Sequence, residues 1–265
     1  MDLNSAKACV LRVGGTNCDD EIKWVLEELG LHTDIIHMNQ IAKRSLSAYQ
    51  LLVLPGGFSY GDYVRAGAIW SREIYTKLEK ELEEFIDEGK LVLGICNGFQ
   101  VLVETGILPG NGISVTGIPT AVLANNMSAK YECRWIKLKV DGKQTPFSSA
   151  LAKEKLLRIP IGHGEGRMLL QSEDALKDLI KNRQVIFRYA SADGSLANGR
   201  YPDNPNGSTY DIAGICNKKG NVMGMMPHPE RAFFGWQLPS GGYEPPKFGD
   251  GRAIFEGAVN YLKGY

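Results

Sequence analysis

A cysteine in a tight glycine turn is the residue of this sequence best suited to covalent chemistry. The short apolar run 91–95 predicts a buried strand, and it leads directly into Cys96-Asn97-Gly98. In such a strand–turn–helix elbow, Gly94 and Gly98 remove side chains that would collide, and the N-terminus of the following helix favours a thiolate. We therefore predict that Cys96 is a nucleophile and not a packing residue.

A proline-flanked histidine and a glutamate occur late in the chain, in the segment MPHPER at 226–231. The two prolines restrict the backbone on either side of His228, so the connection between imidazole and carboxylate is short and stiff. A thiol nucleophile needs a base that is itself oriented by an acceptor. We predict that His228 is this base and that Glu230 holds it.

A Gly-Gly loop after another apolar strand is the third element. Gly56 and Gly57 follow the apolar run 51–54 and Pro55. Attack on a carbonyl creates an oxyanion, which needs two preorganised N–H donors. The elbow offers one such donor from Asn97, and the glycine loop could offer another because backbone without side chains approaches a substrate closely. Taken alone, the loop is equally well explained as an ordinary turn.

The elements that must position these motifs alternate between strand and helix over the first hundred residues. Strands that are apolar on both faces, separated by amphipathic helices, indicate a parallel sheet covered on both sides. The second half is predicted to add antiparallel and mixed strands to the same sheet, followed by a last helix, and we expect one domain over residues 1–265. The predicted strands are 8–13, 33–38, 51–54, 91–95, 131–140, 155–161, 184–190, 210–216 and 221–226, and the predicted helices are 19–29, 73–88, one from Phe99 and 251–262.

Composition disfavours several classes of protein. Thirty basic and thirty acidic side chains leave no net charge, which argues against coating nucleic acid or an anionic membrane. No apolar stretch approaches the roughly 18–20 residues that span a bilayer, and the N-terminus lacks the layout of a secretory signal. Five scattered cysteines without a C-x-x-C pair, and histidines without zinc spacing, predict a cytoplasmic protein with no disulfide framework and no metal.

Together the motifs resemble those of the class I glutamine amidotransferases, in which the cysteine elbow is followed by Gln, here Gln100, and combined with a late His-Pro-Glu. The amino-acid sequences of longer segments around these motifs are similar to those of the glutaminase subunits of phosphoribosylformylglycinamidine synthases. Similar segments occur between about residues 8 and 231, although Gly14 replaces a proline of many relatives and the stretch 233–247 is long. The segments are GGTNCD (14–19), PGGFSYGDYVRAG (55–67), CNGFQ (96–100), YECR (131–134), HGEGR (163–167) and HPER (228–231).

The resemblance implies a flavodoxin-like α/β fold and the hydrolysis of glutamine to glutamate and ammonia through a cysteinyl thioester. It further implies that the backbone N–H groups of Asn97 and Gly57 bind the oxyanion, that Gly56 shapes the loop, and that Gln100 lines the glutamine pocket. Ammonia would pass to a large synthetase subunit, assisted by a small third subunit. That partner would use ATP and Mg²⁺ to convert formylglycinamide ribonucleotide to formylglycinamidine ribonucleotide in purine biosynthesis. The chain itself would carry no cofactor, and it contains no Walker loop.

Alternatives remain open at this point. The chain could serve another amidotransferase pathway, could be a cysteine hydrolase or peptidase of the same architecture, or could be a non-catalytic module with a fossil site. His163 could replace the predicted base, although its glycine-rich loop is better explained as a partner contact or a cover over the pocket. The other cysteines (9, 18, 133 and 216) are expected to pack within or beside strands. The aromatic residues of 233–248 are expected either at an interface or over the core, and 198–208 is predicted to be an exposed loop.

Overall fold

The computed structural model describes residues 6–41, 44–110, 120–239 and 244–264. Within these ranges the chain forms eleven strands and six α-helices, joined by loops and short 3₁₀ turns. The strands are β1 (Lys7–Arg12), β2 (His32–His37), β3 (Leu51–Leu54), β4 (Leu91–Ile95), β5 (Ala121–Ala124), β6 (Glu132–Val140), β7 (Leu156–His163), β8 (Arg167–Leu170), β9 (Val185–Ala190), β10 (Ile212–Cys216) and β11 (Val222–Met225). The helices are α1 (Asp19–Glu28), α2 (Met38–Ile41), α3 (Ala68–Asp87), α4 (Asn97–Glu104), α5 (Glu173–Lys181) and α6 (Arg252–Lys263).

Five parallel strands form the half of the main sheet that carries the predicted motifs. They lie in the order β2–β1–β3–β4–β11. Every residue of β3, β4 and β11 is buried, as expected for strands covered on both faces. Because the carboxyl ends of parallel strands meet at one edge, the loops after these three strands lie side by side. The predicted parallel sheet is therefore confirmed.

Four further strands extend the same sheet beyond β11 in the order β10–β9–β6–β7, and each pairs antiparallel with its neighbour. Among the described residues this sheet has nine strands. Seven of them point in one direction, because β9 and β7 run parallel to the first five. The predicted antiparallel additions in the C-terminal half are confirmed. A separate two-stranded sheet, β5 with β8, was not expected from the sequence.

The helices flank the sheet with their apolar faces. Helix α1 packs against β1 and β2 and touches α6, while α3 packs against α4, which lies over β3, β4 and β11. Two helices begin earlier than predicted. Helix α3 begins at Ala68 and not at residue 73, directly after Gly67, which has a φ of 79°. Helix α4 begins at Asn97 and not at Phe99, because the turn at Cys96 is so tight.

The segment 198–208 differs from its prediction as an exposed loop. Residues 198–202 are exposed, but Asn204, Asn206 and Ser208 are buried. Their polar groups pair internally: the Asn204 amide donates to the Ser208 carbonyl (2.9 Å) and the Asn206 amide donates to the Gly166 carbonyl (2.8 Å). Burial is tolerated because these groups find partners inside the protein. The second part of the segment is therefore a fixed support for the HGEGR segment, residues 163–167.

Candidate active site

The cysteine elbow has the strained geometry that its sequence predicts. Cys96 adopts a φ of 50°, a left-handed value that is uncommon for a residue with a side chain. The backbone closes so tightly that a Cβ on Gly98 would lie 1.8 Å from the Leu54 carbonyl oxygen, and one on Gly94 would lie 2.7 Å from the Gly98 oxygen. Only glycine fits at these two positions. The turn therefore holds Cys96 at the N-terminus of α4, with the thiol-bearing residue 5% exposed.

His228 and Glu230 lie at the end of the neighbouring strand. β11 pairs with β4 through Gly94–Gly224 and Ile95–Met225, and the Cys96 N–H donates to the Met225 carbonyl (2.8 Å). Pro229 begins a 3₁₀ turn, which folds the Glu230 side chain back onto the ring of His228. Nδ1 of His228 lies 2.5 Å from Oε1 of Glu230, and both residues are buried. Glu230 Oε2 has no hydrogen-bond partner among the described residues.

The charges around His228 favour its protonated form. Burial by itself would lower the pKa of His228, but the carboxylate of Glu230 and the sulfur of Cys96 raise it well above 6.5. Cys96, at the end of the adjacent strand β4, contributes to this increase in the His228 pKa. The structure thus brings the predicted nucleophile, base and orienting acid together at neighbouring strand ends, with a histidine that is readily protonated.

The Gly-Gly loop lies against the imidazole. A Cβ on Gly56 would be 2.6 Å from Cε1 of His228, so a larger residue would displace the ring. Gly57 has a φ of 149°, and its backbone lies close to the segment that contains Asn17. A Cβ on Gly57 would be 2.7 Å from the Asn17 nitrogen. Because the Gly56 carbonyl accepts from the N–H groups of Asn17 (3.3 Å) and Cys18 (3.2 Å), the loop is fixed in place. The loop is therefore held rigidly against the ring of His228.

Asn97 and Gln100 connect the elbow to the loops on either side. Asn97 accepts from the Ser59 N–H (3.3 Å) and donates to the Gln100 side-chain oxygen (3.0 Å). Gln100 donates to the Glu165 carbonyl (2.5 Å). Both residues are buried, so these bonds order the loop after β3 and the loop between β7 and β8 around the nucleophile.

Cys18 lies next to His228, the predicted base, and this position was not expected from the sequence. It was expected to pack, and it is indeed buried, but its Sγ lies 4.0 Å from His228 Nδ1 and accepts from Arg231 Nη2 (3.3 Å). Burial raises the pKa of the Cys18 thiol to about 11. The packing prediction also holds for Cys9 and Cys216, whereas Cys133 is exposed although it lies in β6. Its side chain falls on the outward face of that strand.

The surroundings of His163 do not favour a role as the base. Its ring is buried, its Nδ1 lies 3.0 Å from Asn126 Oδ1, and burial together with the charge of His228 lowers its pKa to about 3. The ring faces the interior, and a contact between this glycine-rich loop and a partner stays a prediction. The adjoining backbone does cover the nucleophile, since the Cys96 thiol donates to the Gly162 carbonyl (3.7 Å).

The aromatic stretch near the C-terminus contains both buried and exposed rings, and its role as an interface stays a prediction. Phe233 is fully buried and packs against Phe255. Trp236 is 62% exposed and stacks on Phe234, beside Trp24 of α1. Phe233 therefore belongs to the core, whereas Phe234 and Trp236 form a surface cluster with Trp24; residues 240–243 lie outside the described residues.

Comparison with known proteins places this geometry in a family. A family model described as CobB/CobQ-like glutamine amidotransferase domain matches residues 5–262. A protein of Archaeoglobus fulgidus named phosphoribosylformylglycinamidine synthase subunit PurQ is 45% identical, with 99% of each chain covered. A protein of the same name from Methanothrix thermoacetophila is 40% identical, with 97% of this chain and 98% of that protein covered.

Solved structures agree with these relatives. A chain of PurLQS from Thermotoga maritima superposes with a TM-score of 0.73 at 36% identity, covering 98% of this chain and 100% of that chain. A glutamine amidotransferase from Thermotoga maritima superposes with a TM-score of 0.52 at 18% identity, covering 98% and 94%, which supports the fold alone. In the part of the chain that the structure describes, no helix is long and apolar enough to cross a membrane.

Proposed function

This chain belongs to the CobB/CobQ-like glutamine amidotransferase family and acts as the glutaminase component of a phosphoribosylformylglycinamidine synthase, and we propose that Cys96, His228 and Glu230 carry out its chemistry. The observation that carries this assignment is that Cys96 and His228 follow two adjacent strands, β4 and β11, and that Nδ1 of His228 lies 2.5 Å from Oε1 of the buried Glu230. A nucleophile, a base and an orienting acid in this arrangement form a catalytic triad.

The reaction follows from this arrangement in two halves. The Cys96 sulfur attacks the side-chain amide carbon of glutamine, and the thiol proton is held by His228. The carbon–nitrogen bond then breaks as His228 gives that proton to the departing ammonia, leaving a glutamyl thioester. Water attacks the thioester with His228 as base, which releases glutamate and restores the thiol. Glu230 keeps Nδ1 occupied, so that Nε2 is the nitrogen available to the sulfur.

Stabilisation of the oxyanion is assigned to backbone groups. The N–H of Asn97 lies at the N-terminus of α4, where unpaired donors and the helix dipole favour negative charge. The N–H of Gly57 is proposed as the second donor, because this loop has no side chain between its backbone and the catalytic ring. Gly56 gives the loop its shape, and Gln100 is proposed to line the glutamine pocket while holding residue 165 in place.

The assembly is proposed from the relatives. We expect residues 1–265 to act as one amidotransferase domain, since a single sheet extends through both halves of the chain. We also expect it to act in the cytoplasm. Its partners would be a large synthetase subunit and a small third subunit, as in the complex named PurLQS. ATP and Mg²⁺ would bind to the synthetase, where ammonia is used to form formylglycinamidine ribonucleotide, and this chain would hold no cofactor. Nucleic acid and membranes are not expected as partners.

Substitution of the nucleophile tests the proposal. In the assembled complex, Cys96→Ala should reduce glutamine-dependent synthesis by about six orders of magnitude, the effect typical of losing a triad nucleophile. Synthesis supported by an ammonium salt should continue, because only the supply of nitrogen is removed. Cys133→Ala, at an exposed thiol, is the matched control and should behave like wild type. Loss of the ammonium-driven reaction, or glutaminase activity that persists without Cys96, would overturn the assignment.

A further inference from the structure

Three buried side chains from distant parts of the chain place metal-binding atoms close together. The Cys18 sulfur, a His228 ring nitrogen and a Glu230 carboxylate oxygen all lie within 4.8 Å of one another. Their residues are only 2%, 3% and 1% exposed. Cys18 follows β1 and precedes α1, whereas the other two residues follow β11, so no spacing rule for metal sites could have found this set.

We propose that these three side chains form an inhibitory site for a thiophilic divalent cation of the zinc and cadmium class. Sulfur, imidazole nitrogen and carboxylate oxygen are the ligands that zinc takes in proteins. At bond lengths of about 2.0–2.3 Å, the donor atoms of a tetrahedral site lie about 3.3–3.8 Å apart. Sγ to Nδ1 is 4.0 Å, Nδ1 to Oε1 is 2.5 Å, and the sulfur and the carboxylate oxygen lie within 4.8 Å, so shifts of about 1.5 Å or less would create the site.

An unused ligand atom supports this assignment. Oε2 of Glu230 is buried and has no hydrogen-bond partner in the described residues. A buried oxygen of this kind is normally satisfied, and a bound cation would satisfy it. Charge also balances, because one thiolate and one carboxylate neutralise a divalent cation. Arg231 contacts the Cys18 sulfur, but Glu21 pairs with this guanidinium at 3.0 Å and offsets its charge.

Occupation of this site would stop the proposed reaction. The cation binds Nδ1 of His228 and the sulfur of Cys18, and the proton that each of these two atoms carried is released to solvent. The remaining proton of the imidazole is then on Nε2, the nitrogen that must accept a proton from Cys96. His228 can no longer act as a base, and the carboxylate that orients it is occupied as well. This consequence rests on the proposed function, whereas the binding site itself does not.

Cadmium binding to the full-length Cys96→Ala protein tests the site, because this background removes the competing thiolate on the other side of the ring. Thiolate coordination produces an ultraviolet charge-transfer band, which gives the affinity by titration. Replacing a group that merely supports a metal ligand costs about 10–100-fold in affinity, so loss of the ligand Cys18 should cost about 100-fold or more. When Cys18→Ala is added to the Cys96→Ala protein, the band should therefore be lost. When Cys133→Ala is added instead, the band should remain. Cys18→Ser provides the same test with a side chain of similar size.

The outcomes separate this inference from the proposed function. An unchanged band and affinity after removal of Cys18, or no cadmium band in the Cys96→Ala background, would overturn the metal site whatever the catalytic result. In the enzyme that retains Cys96, zinc inhibition of glutamine hydrolysis should weaken about 100-fold when Cys18 becomes Ala, relative to the basal rate of that variant. Equal sensitivity in both enzymes would show that the cation acts elsewhere.

Discussion

Replacing Glu230 by Gln isolates the charge of the orienting acid from its shape. Glu230 is 1% exposed, its Oε1 lies 2.5 Å from Nδ1 of His228, and its negative charge counters the lowering of the His228 pKa by burial. Glutamine has the same size and can still accept from Nδ1–H through its amide oxygen. The substitution therefore removes the carboxylate charge, while a hydrogen bond from Nδ1–H of His228 to the new amide oxygen can still form.

The size of the effect follows from the kind of bond that is lost. A hydrogen bond to a charged group contributes about 1.5–3 kcal/mol, against about 0.5–1.5 kcal/mol for a neutral pair, so the imidazolium loses about 1–1.5 kcal/mol of stabilisation. This is about tenfold in the equilibrium that forms the thiolate–imidazolium pair. We expect glutamine hydrolysis to fall at least about tenfold. It falls by up to about 10⁴ if the new amide turns its NH₂ group toward Nδ1 and stabilises the wrong tautomer.

The assay is the pH profile of kcat/KM for glutamate release by the assembled complex. Because the Glu230 charge raises the pKa of His228, its removal lowers that pKa, and the imidazolium is lost at a lower pH. The alkaline limb of the profile should therefore move to lower pH in Glu230→Gln, whereas Glu230→Asp, which keeps the charge, should move it less. An alkaline limb that stays in place in Glu230→Gln while the variant remains folded would refute the role of this charge.

Three further predictions concern stability. Gly98→Ala should destabilise the fold by about 3 kcal/mol or more in denaturant unfolding, because its Cβ would lie 1.8 Å from a carbonyl oxygen, whereas Gly14→Ala, with no atom within 4 Å, should stay within about 0.5 kcal/mol. Similar losses in the two variants would contradict the packing explanation. Burial and then the charge of Glu165 raise the pKa of Asp62 from 3.8 to about 6, so its carboxylate costs stability as the pH rises through that window. Asp62→Asn should therefore have the higher Tm at pH 7 and no advantage near pH 3, and equal Tm values at pH 7 would contradict the shift. Phe233→Ala should cost about 3–5 kcal/mol and Trp236→Ala no more than about 1.5 kcal/mol, since only the first is buried; equal losses would argue against this division of the aromatic stretch.

The elements around the nucleophile could be predicted because local pattern and tertiary environment agree there. The runs 51–54 and 91–95 are apolar throughout, and the structure buries both of their faces. The glycines at 94 and 98 are required by contacts that any such elbow makes. Both the parallel sheet and the meeting of Cys96 with His228 therefore follow from the sequence, since each residue ends a strand of the same sheet edge.

What the sequence could not show depends on partners that are far apart in the chain. Cys18 looks like a packing residue until β1 and β11 bring it beside His228. The polar run 204–208 reads as exposed, because polarity alone does not reveal that Asn206 finds the carbonyl of Gly166. His163 was a rival candidate for the base, but Asn126, 37 residues away, holds its ring inside. In each case the deciding interaction is a long-range hydrogen bond, which leaves no periodic signal in the local sequence.

The pairing of β4 with β11 has a consequence for how this enzyme can vary. Gly94 faces Gly224 and Ile95 faces Met225 across one hydrogen-bonded ladder. Cys96 and His228, the proposed reacting pair, each lie within three residues of the end of one of these strands. The spacing of these two strands, about 4.8 Å, therefore sets how far apart the chain carries Cys96 and His228. Insertions in loops that do not adjoin β4 or β11, such as the exposed residues 198–202, can change the surface without moving these two strand ends.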